Sequence, residues 1–279
     1  MHFAIYVPNF GTFGNVQTVV ELAQLAEASG WSGFFLWDHV LPDADSSEGP
    51  VADTWLALAA IACATQRIRL GALVTAFPRR QPWKLARESV TLDHLSQGRL
   101  VVGAGIGGDW WREYSAVGEA ADPRLHGEKL DEGLEVLTRL WTGEPVSFEG
   151  RHYTLDQARF LPTPYQSPRI PIWIAGVWPG TRPFRRAARW DGVFPIGRHG
   201  DPTPQDVQEM VAYIQRHRTT THSYDVVISG RMVEKEAEDA RELLQQYASA
   251  GVTWWLESFW PDAPLANVQT VIAQGPPHL

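Results

Sequence analysis

A single cysteine, Cys63, stands in 279 residues. One thiol excludes a disulfide framework and a thiolate metal cluster. Basic charge is also short: 24 Lys and Arg stand against 32 Asp and Glu, a net charge of −8. Phosphate-backbone recognition needs a basic face, so nucleic acid is not an expected partner. No apolar run approaches the roughly 18 residues of a membrane helix. The opening residues "MHFAIYVPNFG" read as neither a signal nor a transit peptide, and the expectation is a soluble cytoplasmic protein. Low complexity is absent, and no repeat exceeds the strand–helix unit.

Apolar residues are plentiful, at 44% of the chain, and Trp is over-represented at 13. Short, nearly continuous apolar runs alternate with runs of helical period. The predicted strands are residues 2–8, 33–38, 68–75, 99–105, 170–176, 191–197, 225–232 and 252–258. Between them lie amphipathic stretches with helix punctuation. Gly30 and Gly98 stand where helices should stop. Asp53 is placed as an N-cap, and Pro82 falls in a first turn. Cys63 lies in the apolar helix "TWLALAAIACATQ" and reads as a buried, inert thiol. Strands this apolar, each followed by a helix, imply a parallel sheet covered on both faces. Eight such units in one chain of this length imply a single-domain (β/α)8 TIM barrel, with an open doubly wound sheet as the alternative. Residues 143–169 form an insertion before strand five, and "VSFEGRHYTL" within it reads as a hairpin.

A barrel of this kind carries its active site at the C-terminal strand ends. Those ends read Pro8 and Asn9; Asp38 and His39; Val74 and Thr75; Gly105 to Asp109; Gly176 to Trp178; Ile196 to His199; Arg231; Glu257 and Ser258. The pair Asp38–His39 closes the wholly apolar run "GFFLW". His39 is a candidate acid or base near neutral pH. Asp38 is a candidate orienting partner or ligand contact; a turn cap beside a surface histidine is the plain alternative.

Gly103, Gly105 and Gly108 spell G-x-G-x-x-G, but at the end of strand four and before a loop, so they do not make a dinucleotide fingerprint. After Gly176 a helix opens at Gly180–Thr181 with Arg182, Arg185 and Arg186 close behind, the make-up of an anion site. Arg79 and Arg80 follow strand three and either hold an acidic group or are solvated. Trp37, Trp110, Trp111, Trp178 and Trp260 fall near strand ends and suit a planar cofactor or an apolar substrate. Trp254 and Trp255 are adjacent in strand eight, so one must face the helices.

The strings "GWSGFFLWDHV", "IRLGALVTAFPRRQPWKLARESVTLDHLSQGRLVVGAGIGG", "LDEGLEVLTRLWTGEPVSFEGRHYTL", "PRIPIWIAG" and "RAARWDGVFP" resemble the bacterial luciferase-like monooxygenase family across nearly the whole chain. The resemblance implies an oxidoreductase using FMN or coenzyme F420 in the mouth of a (β/α)8 barrel. It implies a small apolar or aromatic substrate and a homodimer formed through barrel helices. If FMN is used, a flavin reductase is the implied partner. By position, Asp38 and His39 match the acid–histidine pair of deazaflavin-dependent members. Leu73 and Val74, with Thr75 after them, match a non-proline cis peptide behind the ring. Gly105, Ile106 and Gly107 match the loop beside it. Gly176, Val177 and Trp178 match the phosphate-binding turn, with Ile196 and Gly197 opposite. One position departs: several deazaflavin-dependent dehydrogenases place a proton-donating glutamate where this chain has Gly108, and Asp109 is the nearest acid to take that role. Two other readings stand beside this one: a metal-dependent hydrolase on the same barrel, and a non-catalytic flavin-binding protein.

Overall fold

In a computed structural model, residues 1–41, 49–197 and 200–277 are described. The strands and helices alternate as their apolar patterns require. They are β1 (His2–Val7), α1 (Val16–Ala28), β2 (Gly33–Leu36), α2 (Thr54–Ala64), β3 (Arg69–Ala72), β4 (Thr75–Ala76), α3 (Pro82–Leu95), β5 (Val102–Gly105) and α4 (Pro123–Leu140). After them come β6 (Val146–Glu149), β7 (Thr154–Ala158), β8 (Ile172–Trp178), α5 (Thr181–Ala187), β9 (Gly192–Gly197), α6 (Pro204–His217), β10 (Asp225–Gly230), α7 (Ala237–Ser249), β11 (Trp254–Ser258) and α8 (Leu265–Gln274).

The parallel sheet runs β3-β2-β1-β11-β10-β9-β8-β5-β4. Its two ends are parts of one barrel strand. The run 68–75, expected to be continuous, breaks at the cis Leu73–Val74 peptide: β3 pairs with β2, and β4 pairs with β5. An apolar pattern reports burial and cannot report a change of partner. The cylinder closes where Leu70 N donates to Arg99 O at 3.2 Å and Val101 N donates to Leu70 O at 2.9 Å. This seam is tight. A Cβ on Gly71 would overlap the Val101 carbonyl oxygen, and one on Gly103 would overlap that of Ala72. Glycine is what lets the two backbones meet there.

Strand alternation sorts the core into two parts. Inside the barrel lie Ala4, Tyr6, Phe35, Leu73, Val101, Trp173, Phe194, Val227, Trp254 and Leu256. The larger core lies between strands and helices and includes Trp255, Leu22, Leu58, Leu85 and Leu134. Trp254 therefore faces the lumen and Trp255 faces the helices, where it packs on Tyr247 at 5.4 Å. Asp225 opens β10 at the barrel floor. Its carboxylate accepts the indole N–H of both Trp173 and Trp254 at 3.1 Å, so the two lumen indoles bury no unpaired donor.

Helix punctuation follows the sequence. The Asp53 carboxylate accepts from Leu56 N at 2.9 Å, and Gly30 and Gly98 take φ of +89° and +82° after α1 and α3. The insertion forms the antiparallel pair β6–β7, and its tail is tied to α3 through Asp93, which accepts from Tyr165 N at 2.8 Å and Gln166 N at 3.0 Å. One expectation fails. Cys63 is exposed, one face away from the buried Trp55, Leu58, Ile61 and Ala62 of α2. That helix is apolar nearly all round, with Leu56 72% exposed, so its periodicity could not separate the buried face from the open one.

Candidate active site at the barrel mouth

The end of β2 delivers Asp38 and His39 to the C-terminal mouth, but the two side chains do not touch one another's partners. Asp38 is 5% exposed, and Arg80 Nη2 bridges both its oxygens at 3.0 and 3.1 Å. Burial raises its carboxyl above the ordinary value, against the opposing pull of Arg80 and Arg79. Asp38 is thus a buried ion-pair member and not the group that orients His39.

That group is Glu113, which the sequence reading missed. His39 Nδ1 lies 3.0 Å from Glu113 Oε2. The other oxygen, Oε1, accepts from Val40 N at 2.8 Å and from Arg79 Nη1 at 2.7 Å. Arg79 also donates through Nη2 to Asp38 O at 2.6 Å. Burial alone would raise the Glu113 carboxyl, but the His39 ring, the Arg79 charge and the Val40 N–H outweigh it and hold it down at about 2. Glu113 is therefore a carboxylate at neutral pH. The backbone of His39 is pinned as well: Asn9 Nδ2 donates to His39 O at 2.8 Å, and His39 N donates to Asn9 Oδ1 at 3.1 Å.

Arg79 and Arg80, placed at the mouth by the sequence, are thus committed to Glu113 and Asp38. Around His39 stand Trp111, Trp37 and Phe10, with ring centroids 4.3, 5.6 and 5.7 Å away.

The loop after β5 is built, not loose. Tyr114 donates its hydroxyl to Ile106 O at 2.8 Å and stacks on His126 at 4.1 Å, whose Nε2 meets Ala120 O at 2.7 Å. Asp109 Oδ1 accepts from Tyr114 N at 2.8 Å and Ser115 N at 3.1 Å. Those backbone donors hold its carboxyl below the ordinary range. Asp109 is a loop anchor facing its own backbone, which is a poor arrangement for a proton donor. Gly108 is covered by the Trp110 ring. Between Gly105 and Gly118 the sequence holds just two carboxylates, Asp109 and Glu113; that short choice was the available signal. The register of a loop is not periodic, so sequence spacing could not decide between them.

Across the mouth, Val74 follows the strand break and packs on Gly105, whose added Cβ would sit 2.7 Å from Val74 Cγ2 and 3.6 Å from Ala175 Cβ. Val177 and Ile196 are register partners at the ends of β8 and β9, and Ile196 is 41% exposed. Thr75 and Trp37 each bury a polar atom without a partner among the described residues. Trp178 joins a cis bond to Pro179 and turns outward, donating its indole N–H to Asp206 at 3.2 Å. Gly176 lies under Pro183 at the start of α5, and Gly197 ends β9 opposite Trp178. Ile106 and Gly107 continue from β5 at the rim. Arg186 is taken by Asp131 at 2.8 and 2.9 Å, while Arg182 and Arg185 are exposed. His199 falls outside the described residues.

Among the described residues no three His, Cys, Asp or Glu gather as metal ligands, and no helix is long and apolar enough to cross a membrane.

The closed parallel barrel, with a positioned imidazole and a glycine-flanked loop at its C-terminal mouth, defines a (β/α)8 barrel with a mouth site, and comparison with known proteins identifies the family. The family model for luciferase-like monooxygenases matches residues 1–272. The chain belongs to that family and is an oxidoreductase of the luciferase-like monooxygenase type. It is 31% identical over 163 residues to the F420-dependent glucose-6-phosphate dehydrogenase of Nakamurella multipartita, a match covering 58% of this chain and 47% of that enzyme. In structure it is similar to an F420-dependent secondary alcohol dehydrogenase in complex with an F420-acetone adduct (TM-score 0.81, 16% identity, covering 98% and 97% of the two chains). It is likewise similar to a monooxygenase from Streptomyces bottropensis (TM-score 0.80, 21% identity, covering 98% and 96%). At such identities the structural likeness speaks for the fold.

Proposed function

We propose that this chain binds a flat, phosphorylated ring cofactor, FMN or coenzyme F420, at the barrel mouth and uses it to oxidise, reduce or oxygenate a small apolar or aromatic substrate. The observation that carries the reading is the pairing, at the C-terminal mouth, of apolar strand-end side chains (Val74 on the lumen cluster, and the register partners Val177 and Ile196) with a positioned imidazole, His39. An aromatic or aliphatic shelf with a few polar groups is how proteins hold planar ligands. The buried Thr75 hydroxyl and Trp37 indole N–H, without a partner among the described residues, are polar groups near the same strand ends that a ring edge would engage.

When bound, such a group supplies two-electron hydride chemistry or, as reduced FMN, oxygen activation. The chain supplies the rest. Leu73, Val74 and Thr75 border one side of the ring site, with Gly105, Ile106 and Gly107 alongside. Gly176, Val177 and Trp178, with Ile196 and Gly197, border the end expected to take the phosphate; the Trp178 indole itself is engaged by Asp206. Phe10, Trp37 and Trp111 wall the substrate side around His39. His39 holds or receives a proton at Nε2, the nitrogen turned away from Glu113. Asp38 keeps the strand end in place through Arg80. The F420 dependence named for the Nakamurella relative favours the deazaflavin, which would make hydride transfer the reaction. A homodimer, and a reductase partner for the FMN case, belong to the same proposal.

The test is a paired titration of the purified chain with FMN and with coenzyme F420, followed by ligand and Trp fluorescence. Micromolar binding of F420 alone selects hydride transfer. Tight binding of FMN alone selects oxygen-using chemistry. Binding of neither overturns the reading.

A further inference from the structure

We infer that Glu113, clamped by Arg79, is the positioning residue that fixes which nitrogen of His39 carries the proton, leaving Nε2 as the proton acceptor that faces the mouth. No acid at Gly108 or Asp109 provides this service. The chain brings a carboxylate from further along the same loop and sets it behind the imidazole.

The inference follows from donor and acceptor counting. An ionised carboxylate accepts hydrogen bonds and cannot donate. Oε1 of Glu113 already accepts from Val40 N and Arg79 Nη1. Oε2 meets His39 Nδ1 at 3.0 Å, a contact that is a hydrogen bond only if Nδ1 bears the proton. A neutral His39 then has its lone pair on Nε2. Among the described residues no hydrogen bond reaches Nε2, and the side chain is 24% exposed. When Nε2 takes up a proton, the resulting imidazolium lies against a carboxylate that is 6% exposed, in a setting where that attraction is little screened.

Arg79 has two tasks in this arrangement. It keeps Glu113 ionised, and through its second nitrogen on Asp38 O it ties the Glu113 loop to the very turn that carries His39. Among the described residues the charged groups around the ring are Glu113 and Arg79 directly behind it and the Asp38–Arg80 pair beyond, and Asn9, Phe10, Trp37 and Trp111 add no charge.

What His39 does in turnover rests on the flavin-type reading above; its tautomer does not. The experiment therefore uses the purified chain without any ligand. With ¹⁵N-labelled histidine, NMR assigns each imidazole nitrogen, and His39→Asn identifies the His39 signals among the nine histidines. The expected result is a neutral His39 protonated at Nδ1. In Glu113→Gln the proton moves to Nε2 or exchanges between the two. A parent His39 protonated at Nε2 overturns the inference. So does a folded Glu113→Gln, judged by circular dichroism and a cooperative melt, whose His39 tautomer is unchanged. If Glu113→Gln does not fold, the parent tautomer alone decides. In the cofactor-loaded enzyme, Glu113→Gln should lower kcat by about 10²-fold, as loss of an outer orienting partner does, with cofactor Kd within about twofold of the parent.

Discussion

His39 on the turn after β2 and Glu113 in the loop after β5 are joined by a 3.0 Å contact between Nδ1 and Oε2, across 74 positions of chain. The histidine arrives with its strand, while its carboxylate arrives with a loop that is locked by Tyr114, His126 and Asp109. Two rigid elements thus set the imidazole within a narrow range of orientations, which is what a proton-transfer group needs.

His39→Ala separates catalysis from mere binding. In the cofactor-loaded chain it should reduce turnover by about 10²–10⁴-fold, the usual worth of a positioned acid or base. Cofactor affinity should stay within a few fold. Turnover that survives His39→Ala unchanged would make the protein a flavin binder in which this imidazole has no chemical part.

Arg80→Ala leaves the buried Asp38 carboxylate without its counter-charge. Removing one member of such a pair costs about 3 kcal/mol, because the remaining charge stays desolvated. Urea unfolding should show a lower midpoint at an unchanged slope. Asp38→Asn combined with Arg80→Ala should recover part of the loss, since no unpaired charge then remains.

Two glutamates give stability opposite dependences on pH. Burial raises the Glu257 carboxyl to about 7, against the donors Trp255 Nε1, Val233 N and Met232 N. A raised acid is most stabilising while protonated, so its contribution is present below about 4.5 and declines as pH rises through 7. Glu113, held at about 2, works the other way: its contribution is full above about 4.5 and is lost as pH falls towards 2. Urea midpoints measured from pH 3 to 8 should therefore pass through a maximum. Glu257→Gln should flatten the upper limb, worth about 3 kcal/mol, and leave the lower limb in place. An upper limb that persists in that variant would show that another group causes it.

Cys63 should react with a thiol reagent in the folded state, at one equivalent per chain and at a rate close to that of a small-molecule thiol. On the outer face of α2 it is exposed among the described residues. Reaction only after unfolding would place the thiol against the barrel or beneath a partner subunit.

The barrel itself was legible from the amino acids, because strand and helix periods of 2 and 3.6 are local properties and eight apolar strands have few ways to bury both faces. So were the capping residues Asp53, Gly30 and Gly98, the opposed faces of Trp254 and Trp255, and the position of Asp38 and His39 at a strand end. Long-range pairing was not legible. The break at Leu73–Val74 reflects a change of neighbour from β2 to β5. The exposure of Cys63 reflects which side of an all-apolar helix meets the barrel. Arg79 and Arg80 turned inward because Glu113 and Asp38 wait there as buried carboxylates that need them. Most of all, the partner of His39 is Glu113 and not its chain neighbour Asp38: adjacent residues at a strand end point to opposite faces, so Asp38 is sent to Arg80 while His39 meets whatever the folded loop brings across the mouth.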